Sequence, residues 1–165
     1  MKQIKKYLIY FCAALLLLHS SATQAYTNDG VEIEPLFFGQ IIITDNSAVR
    51  SCTIPAGGNM SCDSQVTILQ PGQYGVFRLS GFDPTVYIWA SIDDTTTTMT
   101  APGSGATFDI KSFTFAPDIE SIGTEQKPAA DGTLTLKIGA TLKTHAGQVY
   151  DIAPYHGTFS LQINY

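Results

Sequence analysis

The chain has 165 residues, with 9 basic and 14 acidic side chains and a net charge of −5. Hydrophobic residues make up 44% and charged residues 14%, which excludes a disordered acidic tail and suits one domain plus a targeting segment. The acidic balance argues against a nucleic-acid partner, which selects a basic face.

Residues 1–25 read as a secretory signal peptide. Lys2, Lys5 and Lys6 form a positive start, residues 7–18 are apolar, and Thr23-Gln24-Ala25 offers small side chains for cleavage after Ala25. Twelve apolar residues are too few for a membrane-spanning helix, which needs about 20. After cleavage no membrane span is expected, and residues 26–165 form a single domain. That domain keeps six basic and fourteen acidic residues, a net charge of −8. The expected location is the periplasm, the cell surface or the medium.

Taken in chain order, the mature part reads as short strands broken by turns, with no helical period. Residues 34–43 read as one buried strand, and Asp45-Asn46 as a turn. Cys52 and Cys62 follow. The stretch between them has Gly57 at its centre, so a hairpin folded there sets Cys52 opposite Cys62 and Thr53 opposite Ser61. Export supplies an oxidising compartment, and a disulfide is expected. Residues 74–80 read as the next strand.

Residues 85–92 alternate. Val86, Ile88, Ala90 and Ile92 share one face, Tyr87, Trp89 and Ser91 the other. One of the two faces the core. The expectation is that Trp89 is buried in the sandwich, as a single tryptophan often is. The reverse choice would turn Tyr87 and Trp89 outward as a ligand or partner contact. Residues 95–100 read as a polar edge strand. Ala106, Phe108 and Ile110 alternate, then Phe113 and Phe115 shift by one, which implies a bulge near Lys111-Ser112.

Residues 116–131 read as a surface connection. The longest alternation runs through Leu134, Leu136, Ile138, Ala140 and Leu142. Residues 144–154 read as a loop. Residues 155–165 read as a last strand with Tyr155, Phe159, Leu161, Ile163 and Tyr165 on one side. Its free edge is the candidate strand-pairing edge. His156, Gln162 and Asn164 take the polar side. Eight or nine short strands at this spacing imply an all-β antiparallel sandwich.

No enzyme, cofactor or metal is expected. His145, Asp151 and His156 match no compact ligand spacing. Asp93-Asp94, with Asp83 or Asp109, read as acidic turn caps rather than a calcium loop. No serine sits in a nucleophile elbow, and Gly103-Ser104-Gly105 lacks the lysine of a phosphate cradle.

The segments Ile138-Gly139-Ala140-Thr141-Leu142, Tyr155-His156-Gly157-Thr158-Phe159 and Ile163-Asn164-Tyr165 together resemble a family of secreted bacterial β-sandwich domains of unknown function. Residues 36–41 and 73–88 are similar to that family's earlier strands. The pattern is related to spore-coat-U-like proteins and chaperone–usher pilins. The resemblance implies an immunoglobulin-like sandwich and a surface-assembly role. Copies of itself, other surface subunits and a periplasmic chaperone would be the partners. The expected function is thus a structural or interaction protein of the bacterial surface. The alternative is a monomeric glycan-binding module that uses Tyr87 and Trp89.

Overall fold

A computed structural model describes residues 29–92, 97–117 and 125–165. The expected signal peptide (1–25), Asp93-Asp94 and residues 118–124 of the 116–131 connection lie outside these residues.

The chain opens with β1 (Asp29–Glu34), β2 (Gln40–Ile43), β3 (Ser51–Ile54) and β4 (Ser61–Cys62). Then come β5 (Val66–Gln70), β6 (Gly75–Ser80), β7 (Ile88–Ile92) and β8 (Thr98–Thr100). It closes with β9 (Thr107–Pro117), β10 (Glu125–Gln126), β11 (Leu134–Lys143) and β12 (Leu161–Asn164). The described residues contain no helix, and every strand pair is antiparallel. The fold is the expected all-β sandwich. It has more strand segments than eight or nine, because several expected strands are cut in two.

One layer is a seven-stranded sheet centred on β11. The other layer holds a three-stranded sheet, β10-β7-β12, and a two-stranded sheet, β2-β5. β11 owes its central place to its sequence: five aliphatic side chains at period two supply one unbroken buried face. Leu134, Leu136 and Ile138 pack with Leu79, Phe82, Ile88 and Ala90 under the three-stranded sheet. Ala140 and Leu142 pack with Ile54, Val66, Phe108 and Ile110 under the two-stranded sheet. Each large side chain so buried contributes about 1.5–3 kcal/mol.

β11 changes neighbours along one edge. Leu134 to Ile138 pair with β6, and Ala140 to Lys143 pair with β3. Gly139 stands at the change. A Cβ there would run into the backbone of Ile54, Pro55 and Ala56, where the chain leaves β3. Only glycine lets two backbones approach so closely.

The bulge in β9 forms as expected. Ser112 has φ 54°, and the β11–β9 register slips between Gly139 and Thr141. The extra residue returns Phe113 and Phe115 to the core face, with Phe108 and Ile110 before them.

Three expectations are corrected. Residues 34–43 are not one strand: Phe37 makes an isolated bridge to Gln73, and Gly39, at φ 72°, turns the chain before β2. The 116–131 connection contains β10, which pairs with β7. The last strand is shorter than 155–165. His156 bridges Thr100 of the large sheet through two 2.8 Å hydrogen bonds, whereas β12 pairs with β7 of the opposite layer. The intervening residues cross between layers, so they cannot form one continuous strand.

Candidate functional site

The turn before β7 is set by Asp83. Its Oδ1 accepts from the Thr85 hydroxyl at 2.7 Å and the Thr85 N–H at 2.8 Å. Those two bonds hold the carboxyl below its ordinary pKa, the hydroxyl bond first. Asp83 is thus a turn cap, as the sequence suggests. The turn delivers Tyr87 to the start of β7.

Within β7, Ile88 is fully buried and Ala90 nearly so, both against the β11 side chains. Strand alternation then sends the odd positions outward. Trp89 is 49% exposed and Tyr87 56%. This corrects the expectation of a buried Trp89. The reason is that the aliphatic face is complete and matches the aliphatic face of β11, leaving no room for an indole.

β7 is the middle strand of its sheet, so Trp89 stands between two neighbours. Its register partners are Glu125 on β10 and Asn164 on β12. Ser91 lies across from Gln162. Ser91, Gln162 and Asn164 are exposed, so Trp89 is surrounded on that side by one hydroxyl and two amides. The sequence placed Gln162 and Asn164 on a polar face. Only the β7–β12 register shows that this face is the one Trp89 shares.

The candidate pairing edge is divided. Leu161 and Ile163 lie in β12, half-buried against the core under the three-stranded sheet. Phe159 precedes β12 and meets Phe77 and Phe113 with ring centroids 5.9 and 5.3 Å away. Tyr155 belongs to the other core, with its ring against Phe108 at 4.8 Å. Tyr165 follows β12, 70% exposed, with its ring edge-on to buried Phe82. Five residues expected on one strand face therefore serve two cores. Among the described residues, β12 pairs with no strand other than β7.

Cys52 and Cys62 form the expected disulfide, in direct register across β3 and β4. Thr53 faces Ser61, also as expected.

The histidines do not meet. His145 Nε2 lies 3.2 Å from Asp109 Oδ1, and His156 is tied to β8 by its backbone. Asp151 donates its N–H to the Tyr155 hydroxyl. No group of three His, Cys, Asp or Glu side chains among the described residues could hold a metal ion. Ser104 is a turn residue whose Oγ accepts from the Ala106 N–H and bonds the Tyr155 hydroxyl.

A second linkage joins the loops at one end of the sandwich. Asn46 Nδ2 donates to the carbonyls of His145 and Gln148, both at 2.8 Å, and its Oδ1 accepts from the Thr144 hydroxyl at 2.7 Å. Nearby, the Tyr150 hydroxyl accepts from the His145 N–H and donates to the Thr107 carbonyl. Burial of that phenol pushes its pKa up.

Fold and surface together define a disulfide-clipped antiparallel β-sandwich whose most distinctive features are an outward aromatic pair and a strand beside it, β12, that among the described residues pairs with β7 alone. The chain belongs to the DUF4402 family, a domain of unknown function, whose profile matches residues 27–165. Neither a curated protein nor a solved structure matches it. No helix among the described residues is long and apolar enough to cross a membrane. The disulfide fits an oxidising compartment.

Proposed function

We propose that this domain is an exported structural or interaction protein of the bacterial surface, acting through the edge of β12. The observation that carries the reading is the state of that strand. β12 pairs with β7 only, among the described residues, and its inward side chains Leu161 and Ile163 remain half-buried. An added strand would pair with the main-chain groups on that edge and complete the cover over those side chains. Copies of this chain or other surface subunits would supply that strand, with a periplasmic chaperone holding the edge before assembly. Kinship with pilins and spore-coat-U-like proteins, and the immunoglobulin-like plan it implies, belong to the same proposal.

β1 bears on which segment is donated. It pairs with β6 of its own chain, at the edge of the seven-stranded sheet. An intramolecular strand can still exchange, but it must first leave β6. Sedimentation of the exported protein over a wide concentration range tests the reading. Association that grows with concentration supports it. A monomer throughout, even beside a chaperone expressed from the same locus, contradicts it.

A further inference from the structure

We propose that the outer face of the β10-β7-β12 sheet is a carbohydrate contact, suited to a neutral, extended polysaccharide. The inference stands apart from strand addition at β12, since it uses the face of the sheet and not its edge.

Trp89 is the centre of the site. Its main chain is in register with a strand on each side, so the indole projects from a fixed platform in the middle of a sheet. A pre-placed aromatic ring loses little conformational freedom on binding. About half of its surface is open, and Tyr87 two residues earlier is open to a similar degree. An indole face offers a large, flat apolar area with a negative π surface. The axial C–H face of a pyranose is its complement.

The surroundings decide the class of partner. Around an interface anchor for a protein, apolar neighbours are the rule. Here the cross-strand neighbours are Asn164 on β12 and Glu125 on β10, and Ser91 and Gln162 form the next row. Each amide supplies two donors and an acceptor, and the serine hydroxyl supplies both. Such a rim matches the ring of hydroxyls around a sugar, which also donate and accept. β7 and β12 carry no charged side chain, and the charged residue in register with Trp89, Glu125 of β10, is acidic, which disfavours an anionic partner. The partner is therefore neutral.

The shape indicates a chain rather than a single sugar. Residues 89 and 91 are about 7 Å apart along a strand, and neighbouring strands about 5 Å apart. The exposed row Tyr87, Trp89 and Ser91 runs along the strand direction. A polysaccharide can lie across it.

Trp89 is the sole tryptophan of the chain, so its emission reports on this site alone. The exported protein is titrated with cellohexaose, with chitohexaose and with a polygalacturonate oligomer as an anionic control. Binding is read by fluorescence and by calorimetry. The expected result is a saturable blue shift with a neutral hexaose and none with the anionic one. Trp89→Ala should weaken calorimetric binding about tenfold or more. Trp89→Phe should retain most of it, and Asn164→Ala and Gln162→Ala should each weaken it several-fold. These side chains are exposed, so the melting temperature should stay within a few degrees and separate lost binding from lost fold. No response to either neutral oligosaccharide overturns the proposal, as does unchanged binding by Trp89→Ala or equal binding of polygalacturonate. Loss of self-association in Trp89→Ala without any sugar response assigns the face to a protein and overturns it too.

Discussion

Gly139 of β11 lies directly against the backbone of Pro55, at the point where β11 exchanges β6 for β3 along one edge. The contact explains why a glycine stands on the other face of β11, between Ile138 and Ala140 of its core face. Thr114, across from Gly139 on β9, accepts a 3.1 Å hydrogen bond from the Ala56 N–H and closes the crossing. Gly139→Ala should force these backbones apart. Overpacking of this kind costs about 1–3 kcal/mol or more and should lower the melting temperature by several degrees. Gly105→Ala is the control: a Cβ there meets nothing within 4 Å, and the change should be within about 0.5 kcal/mol. Thermal melts of the two variants compare them directly.

The Cys52–Cys62 bridge closes a loop of sequence separation 10. In the chain-entropy account such a loop contributes about 2–3 kcal/mol. Denatured, unreduced protein should contain no titratable thiol. A Cys52→Ala, Cys62→Ala double variant should unfold at lower denaturant by a corresponding amount.

Asn46 joins two loops about a hundred residues apart in sequence. Its amide satisfies the His145 and Gln148 carbonyls, and its oxygen accepts from Thr144, which is buried. Asn46→Ala removes three bonds and takes the acceptor from the buried Thr144 hydroxyl proton, while the Thr144 oxygen still accepts from the Arg50 N–H. The expected loss is about 2 kcal/mol, read by denaturant unfolding. Hydrogen exchange should rise locally in residues 144–150.

Three carboxylates share one local design, an aspartate two residues before a serine or threonine. Asp45 accepts from Ser47, Asp83 from Thr85, and Asp131 from Thr133. Each pKa is lowered: at Asp45 chiefly by the Ser47 N–H, at Asp83 and Asp131 chiefly by the threonine hydroxyl. A folded pKa below the unfolded value of about 3.9 stabilises the fold above that value. The contribution disappears as pH falls through the folded values. Melting temperature should therefore be flat from neutral pH to about pH 5 and decline below about pH 4. In the triple variant Asp45→Asn, Asp83→Asn, Asp131→Asn the acid decline should be shallower. Tyr150 acts at the other end of the scale. Its raised phenol pKa leaves stability intact below about pH 10 and removes it as pH rises through the folded value.

Trp89 should emit in the red and be readily quenched by a neutral aqueous quencher, given its 49% exposure. Blue, protected emission from the native protein would place the indole in the core and contradict the orientation of β7.

How much was legible in the sequence depended on whether a feature was local. The Cys52–Cys62 hairpin, the Ser112 bulge and the inner face of β11 need only alternation and turn chemistry, and each formed as read. Residues 155–165 misled because alternation continues through a segment that changes layers. Tyr155 and Phe159 keep the period yet serve different cores. β7 misled differently. Its two faces were both apolar enough to be buried, and the choice between them rests on the aliphatic face of β11, which is remote in sequence. Asn164 beside Trp89 depends on strand register, which no local pattern contains.

The central claim is that β12 is an edge that takes a partner strand. Amide hydrogen exchange along Leu161–Asn164 tests it most directly. In dilute protein, the amides that point away from β7 should exchange quickly, while those bonded to β7 are protected. As concentration rises and association proceeds, the outward amides should become protected together with the β7 amides. Outward amides that remain fast in the associated protein, or that are already protected in the dilute monomer, would contradict the claim.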